Sequence, residues 1–350
     1  MYIKNKKSVY REAEKKRQTE NIFKNLGGGI LRTENLKKRA NFDLQLDFFL
    51  NDPILNLYEG IRESALEYFN KNEIEWWKSF GKSRLEKTYE VTPEDKPTRH
   101  ILSSQIACLN HLFPIRNEKD DVLNFIKILD ADFIDVFKIN TDKHLPAYIQ
   151  FEAVSEIDHL NEVKPPKTKP PRGKFSTSID ALIYAAHKSG EKYLVIIEWK
   201  YTEEYEFCKD PINYSTGSSG KTRLERYGKL IDDSLYLKSY SSYENSVYFF
   251  EPFYQLMRQT LWAEQMIKYK NEEIIKADNF IHVHIVPNEN KELLEQKYQV
   301  SGKNMKESWL DNLKFKEKYK IITPMDLINS LDKIKYKELI QYNINRYWSY

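Results

Sequence analysis

Glu198-Trp199-Lys200 closes the apolar run Tyr193-Leu194-Val195-Ile196-Ile197, and seventeen residues separate Glu198 from Asp180, which heads a second run, Ala181-Leu182-Ile183-Tyr184-Ala185-Ala186. Side chains two apart on a strand project to the same side, so Glu198 and Lys200 point together and Trp199 points away. An acid and an amine at the end of a buried strand are costly unless the charges pair or bind metal. Two carboxylates can hold a hard cation through oxygen. A lysine beside them can act on water. That donor set is the equipment of a metal-dependent phosphodiesterase.

The acid-any-lysine triplet alone carries little information in a chain that is 31% charged. It recurs at Glu14-Lys16, Glu94-Lys96, Glu162-Lys164, Glu289-Lys291 and Glu295-Lys297, each in a polar stretch that reads as surface. Only Glu198-Lys200 ends a run rich in β-branched and aromatic residues, the composition of an interior strand. His187-Lys188-Ser189-Gly190-Glu191-Lys192 lies between the two runs and reads as a hairpin turn. Two adjacent antiparallel strands then bring Asp180, Glu198 and Lys200 to one spot. The plainer alternative is a salt bridge between Glu198 and Lys200 without chemistry.

The order Asp180, seventeen residues, Glu198-x-Lys200 resembles the signature of the PD-(D/E)XK nuclease superfamily, with its restriction-endonuclease-like families. Ile179 stands where such sequences often carry proline. The resemblance implies an α/β fold, a central mixed sheet of about four to five strands flanked by helices. Its core runs helix, three strands, helix, strand, here with a helical N-terminal extension. It implies Mg²⁺ or Mn²⁺ as cofactor and DNA as partner, with Asp180, Glu198 and Lys200 catalytic. Asp180 and Glu198 are the implied metal ligands, and Glu152, the one acid in the strand candidate Ala147–Val154, either joins them or faces solvent. The resemblance also points to Gln255, Arg258 or Gln259 beside the scissile phosphate, and to 5′-phosphate and 3′-hydroxyl products. Ser103-Ser104-Gln105 with Asn110 resembles motifs of uncharacterised restriction-endonuclease-like families, although the residues themselves read Gln105 and Asn110 first as a helix's polar face.

The elements that must position these residues fall into three stretches. Residues 1–98 read as a mainly helical region packed on the core, with a basic amphipathic stretch Lys4–Lys24, a joint at Gly27-Gly28-Gly29, a helix across Leu55–Phe80, and Trp76 and Trp77 in the core. Residues 99–290 read as the nuclease core: a first helix over Ile101–Pro114, another over 118–130, a second core helix Phe253–Lys268 and a last core strand Phe280–Pro287. On the second core helix, Phe253, Leu256, Met257, Leu261 and Ile267 share one face, and Gln255, Arg258, Gln259 and Gln265 share the other. His282 and His284 read as a polar strand face rather than a metal site. Residues 291–350 read as helices and a strand completing the same domain.

Two segments interrupt the core. The loop 161–175 includes five basic residues among four prolines, and proline-rich chain stays extended outside a packed core. Lys167, Lys169, Arg172 and Lys174 are candidates to neutralise DNA phosphates. The polar insertion 208–247 contains Ser215–Thr222, which lacks the first glycine and the feeding strand of a phosphate loop, followed by Arg223, Arg226 and Tyr227 on a short helix.

Net charge is only +3, so any basic surface must be local. The two cysteines, Cys108 and Cys208, argue against a disulfide framework or structural zinc. No stretch is long and apolar enough for a membrane span, and the first residues lack a signal peptide's apolar core, so a bacterial cytoplasmic location is expected. The functional expectation is a Mg²⁺-dependent DNA endonuclease, type II restriction in kind. Alternatives are a repair or recombination nuclease, a nuclease toxin, or a catalytically decayed DNA-binding protein. A homodimer would cut both strands of a palindrome, but no interface can be read from the residues.

Overall fold

The computed structural model describes residues 8–22, 49–78, 80–82, 88–90, 95–140, 143, 145–163, 169–173, 176–205, 218–243 and 246–348. Gly27–Gly29, Lys167, Lys174, Cys208 and Ser215–Gly217 lie outside them. In chain order come α1 (Val9–Arg17), α2 (Arg62–Lys71), a small hairpin of β1 (Phe80–Lys82) and β2 (Thr88–Glu90), then α3 (Ser104–Leu112) and α4 (Lys119–Lys127). Next are β3 (Phe133–Phe137), β4 (Ile149–Ala153), β5 (Ile179–His187) and β6 (Lys192–Trp199). These are followed by α5 (Ser218–Asp232), α6 (Phe253–Lys268), β7 (Asn279–Ile285), α7 (Lys291–Leu294), α8 (Met305–Asp311), β8 (Tyr319–Ile322), α9 (Pro324–Ser330) and α10 (Lys337–Asn343). Among the described residues no helix is long and apolar enough to cross a membrane.

A mixed six-stranded sheet forms the centre, ordered β3-β5-β6-β7-β8, with β4 also paired to β5. β5 and β6 form the expected hairpin, and Gly190 in its turn takes φ +86°, which a side chain would resist. β7 lies parallel to β6, so the chain must cross over between them, and α5 and α6 occupy that crossover. This is an α/β fold of restriction-endonuclease-like kind: α3, then β4, β5 and β6, then α6 and β7.

Alternation along the strands separates two cores. Ala181, Ile183, Ala185, Val195, Ile197 and Trp199 pack with α2, α3 and α4 on one face of the sheet. Leu182, Leu194, Ile196 and Phe280 pack with α5 and α6 on the other. Ser103 caps α3 by accepting from Ile106 N–H, and a capping box opens α9 at Thr323, so these helices start where side chains satisfy their first free amides.

Several expectations need correction. The helix read across Leu55–Phe80 is confined to α2 and short 3-10 turns before it, because Glu73 at φ +54° stops it and turns the chain into an extended segment. A strand not anticipated from sequence, β3, pairs with β5 through an irregular register, and its burial, with Ile134 exposed between buried Phe133 and Val136, breaks the alternation that would have marked it. The short helix expected at Arg223 is a full helix, α5, anchored by buried Tyr227 and Ile231. Trp76 is buried and stacks on Phe69 at 3.7 Å, but Trp77 is exposed.

Candidate active site

The β5–β6 register pairs Ala181 with Ile197, so one step further out Asp180 stands level with Glu198. Residues opposite each other on antiparallel strands project to the same side. Lys200 Nζ lies 2.5 Å from Glu198 Oε1 and donates to Gln255 Oε1 at 2.6 Å. Asp180 Oδ2 accepts from the backbone N–H of Trp199 at 2.7 Å, which ties the heads of the two strands together. The three side chains line one cavity of about 440 Å³ with Glu152, Gln105, Ser178, Gln255, Arg258 and Gln259. The cavity opens beyond the carboxyl end of β6, where open α/β sheets commonly hold ligands.

Glu152 reaches this cavity by a local distortion. It sits at φ +47°, a left-handed conformation that costs an L-residue roughly 1–2 kcal/mol. Residues two apart on a strand ordinarily share a face, yet Phe151 packs in one core and Ala153 in the other. The Glu152 carboxylate accepts from Gln105 Nε2 at 2.8 Å and from Ser178 Oγ at 2.7 Å. Arg172 Nε donates to the Glu152 carbonyl at 3.0 Å, and its Nη2 to Tyr68 Oη and Phe151 O. A distortion bonded this way on three sides belongs to the site's architecture.

Helix α6 supplies the opposite wall. Gln259 Nε2 donates to Glu198 Oε2, which leaves Gln259 Oε1 to accept from His282 Nε2 at 2.9 Å. Thr260 then donates to His282 Nδ1 at 3.3 Å. Burial holds His282 down to about 3, so it stays neutral in this chain of contacts. On the amide face of α6, Gln259 and Gln265 are buried and Gln255 is half-buried, and the face meets Glu198, Lys200 and β7. Arg258 Nε binds Glu162 Oε1 at 3.0 Å and Thr177 Oγ1 at 2.9 Å, and its guanidinium sits 5.2 Å over the Tyr254 ring.

Charge is unbalanced in the cavity. Its lining includes five carboxyl side chains (Glu152, Asp180, Glu198, Glu203 and Glu251) against two cations, Lys200 and Arg258. Desolvation, then repulsion from Glu198 and Glu152, pushes the Asp180 carboxyl well above the usual range, with Lys200 and Trp199 N–H offsetting part of it. Burial likewise raises Glu152 against the bonds from Gln105 and Ser178. Burial works against the Lys200 charge, but attraction to Glu198, Tyr205, Glu203 and Asp180 outweighs it and raises the ammonium. Glu251 Oε2 is buried without a hydrogen-bond partner among the described residues, and burial raises that carboxyl too. Repelling carboxylates and an orphaned oxygen fit a hard divalent cation, whose ligands are oxygens.

Residues 16–348 match the family described as Restriction Endonuclease associating with ARP. The chain belongs to that family. No curated protein and no solved structure matches it. Membership in this restriction-endonuclease family supports a nuclease of that type, and families of this kind usually use a divalent metal.

In this restriction-endonuclease chain the other residues singled out from sequence lie as follows. Lys169 Nζ is paired with Glu156 at 2.7 Å. His284, buried on β7, bonds Tyr319 Oη through Nδ1 at 2.8 Å, and burial lowers it well below the usual range. Asn110 is structural: it accepts from Tyr58 N–H and donates to Asn56 O and Tyr347 Oη, joining the turns before α2 and the segment after α10 to α3. Ser178, Glu251 and Trp77 also line the cavity and escaped sequence reading, since no periodicity in their own segments points there. Asp130, Asp132 and His187 form a second set with metal-like spacing, but at the far end of β5 and with Lys188 already on Asp132 at 2.7 Å.

Proposed function

We propose that this chain is a PD-(D/E)XK enzyme, a Mg²⁺-dependent DNA endonuclease of restriction type. The convergence of Asp180, Glu198 and Lys200 on one cavity carries this reading, and the family membership supports it. Asp180, Glu198 and Glu152 are the residues that would hold Mg²⁺ or Mn²⁺. When bound, such an ion supplies Lewis acidity to the phosphodiester and lowers the pKa of a water it carries.

The chain's own groups do the rest. Lys200, aimed by Glu198 and Gln255, orients the attacking water and offsets the negative charge that builds on the phosphoryl oxygens. Gln259 fixes the Glu198 carboxylate between α6 and the sheet. The water oxygen bonds to phosphorus and the bond to the 3′ oxygen breaks, leaving 5′-phosphate and 3′-hydroxyl ends.

The test is incubation of the purified protein with supercoiled plasmid and Mg²⁺, with and without EDTA. Cleavage should require the metal. Asp180→Ala, Glu198→Ala and Lys200→Ala should each lower it by about 100-fold or more while DNA binding persists. Full activity in the triple variant refutes the assignment, and binding without cleavage by the unaltered protein favours a decayed DNA-binding protein.

A further inference from the structure

Trp77 is 56% exposed, whereas Trp76, Trp199, Trp262 and Trp309 are buried and Trp348 is half-buried. It is thus the one exposed member of the chain's six tryptophans. Isolated exposed apolar side chains are ordinary. Trp77 differs in its location and in the anchored backbone that carries it. It lies on the rim of the catalytic cavity, and its backbone N–H donates to Gln105 Oε1 at 3.1 Å. The same Gln105 donates to Glu152, so one amide holds both the main chain at Trp77 and a carboxylate of the site. The segment alternates, with Ile74 and Trp76 buried and Glu75 and Trp77 turned out. Trp76 stacked on Phe69 anchors it on one side. On the other, Gly173 of the basic loop packs so closely that an added Cβ would stand 3.1 Å from Glu75 O.

An exposed indole lining the cavity of a phosphodiester-cleaving site has an evident chemical partner in a nucleobase, whose flat π-face it matches. Bases inside a duplex already have both faces stacked. Only an unpaired or extruded base can offer one. We propose that Trp77 is a stacking platform for an unpaired base next to the scissile phosphodiester, so that the site takes a single-stranded or locally unpaired DNA strand. This rests on the nuclease reading above and names its substrate class.

Tryptophan emission offers a readout, because Trp77 is the most exposed of the six indoles and lines the cavity. In EDTA, a single-stranded deoxyoligonucleotide should quench emission saturably. By anisotropy of the labelled oligonucleotide, Trp77→Leu should bind it roughly 5- to 150-fold more weakly, the range expected for one stacked base. Trp77→Tyr should stay near the unaltered protein. A blunt duplex of the same sequence should bind the unaltered protein and Trp77→Leu alike. Unchanged single-strand affinity in Trp77→Leu, or an equal loss toward the duplex, overturns the proposal. Plasmid cleavage with Mg²⁺ alongside either result leaves the nuclease reading standing. Stacking in EDTA without cleavage in Mg²⁺ removes the nuclease reading instead.

Discussion

Gln105 Nε2 donates to Glu152 Oε1 across 2.8 Å, joining α3 to the one strand residue with positive φ among the described residues. The bond opposes the upward push that burial gives the Glu152 carboxyl. It also turns Glu152 toward Asp180 and Glu198 rather than letting it pack along β4.

Gln105→Leu should therefore weaken the site without emptying it. Groups that orient a metal ligand typically contribute 10- to 100-fold in metal affinity. The Mg²⁺ concentration for half-maximal cleavage should rise by about that factor, while saturating Mg²⁺ restores most of the rate. A rate deficit that no metal concentration repairs would assign Gln105 a different role.

Asp180→Asn should abolish cleavage yet stabilise the metal-free protein. The Asp180 carboxyl is raised in the fold, so the native state binds a proton more tightly than the unfolded chain. Stability linked to that proton is present at low pH and lost as pH rises through the folded pKa. The variant lacks this loss, and its amide oxygen can still accept from Trp199 N–H. In EDTA its melting temperature should exceed the unaltered protein's by about 2 °C or more at pH 8, with the gap closing toward pH 4. Mg²⁺ should stabilise only the unaltered protein. An equal melting temperature at both pH values would show that the carboxylates do not repel.

Arg258→Ala should cost stability first. Glu162 is buried and accepts from Arg258, Thr177 and Tyr227, so removing the guanidinium leaves a buried charge less compensated. Breaking such a pair costs about 3–5 kcal/mol. Urea denaturation reads the loss, and Arg258→Met combined with Glu162→Gln should recover much of it. A variant of normal stability that loses only DNA affinity would return Arg258 to phosphate contact.

How much of this was legible varies by residue. Gln255 and Gln259 stood out as an unusual amide face opposite the apolar one, and both line the cavity with Asp180, Glu198 and Lys200. The pattern could not say that each amide bonds a buried charge, Lys200 or Glu198. The paired histidines of β7 looked like a solvated strand face because alternation cannot say what covers a face. Helix α6 and Tyr319 cover it. Trp77 was misplaced because apolarity predicts burial only on average.

Local rules settle whatever lies within one hairpin. The two-residue period of a strand and a short turn determine that Asp180, Glu198 and Lys200 face one way at one end of two neighbours, and the amino-acid sequence alone sufficed for that. Glu152, Gln105, Gln259 and Trp77 come from segments with no covalent reason to meet. Their convergence depends on how α3 and α6 pack on opposite faces of the sheet, and on a backbone distortion at Glu152 that only its three-dimensional partners sustain.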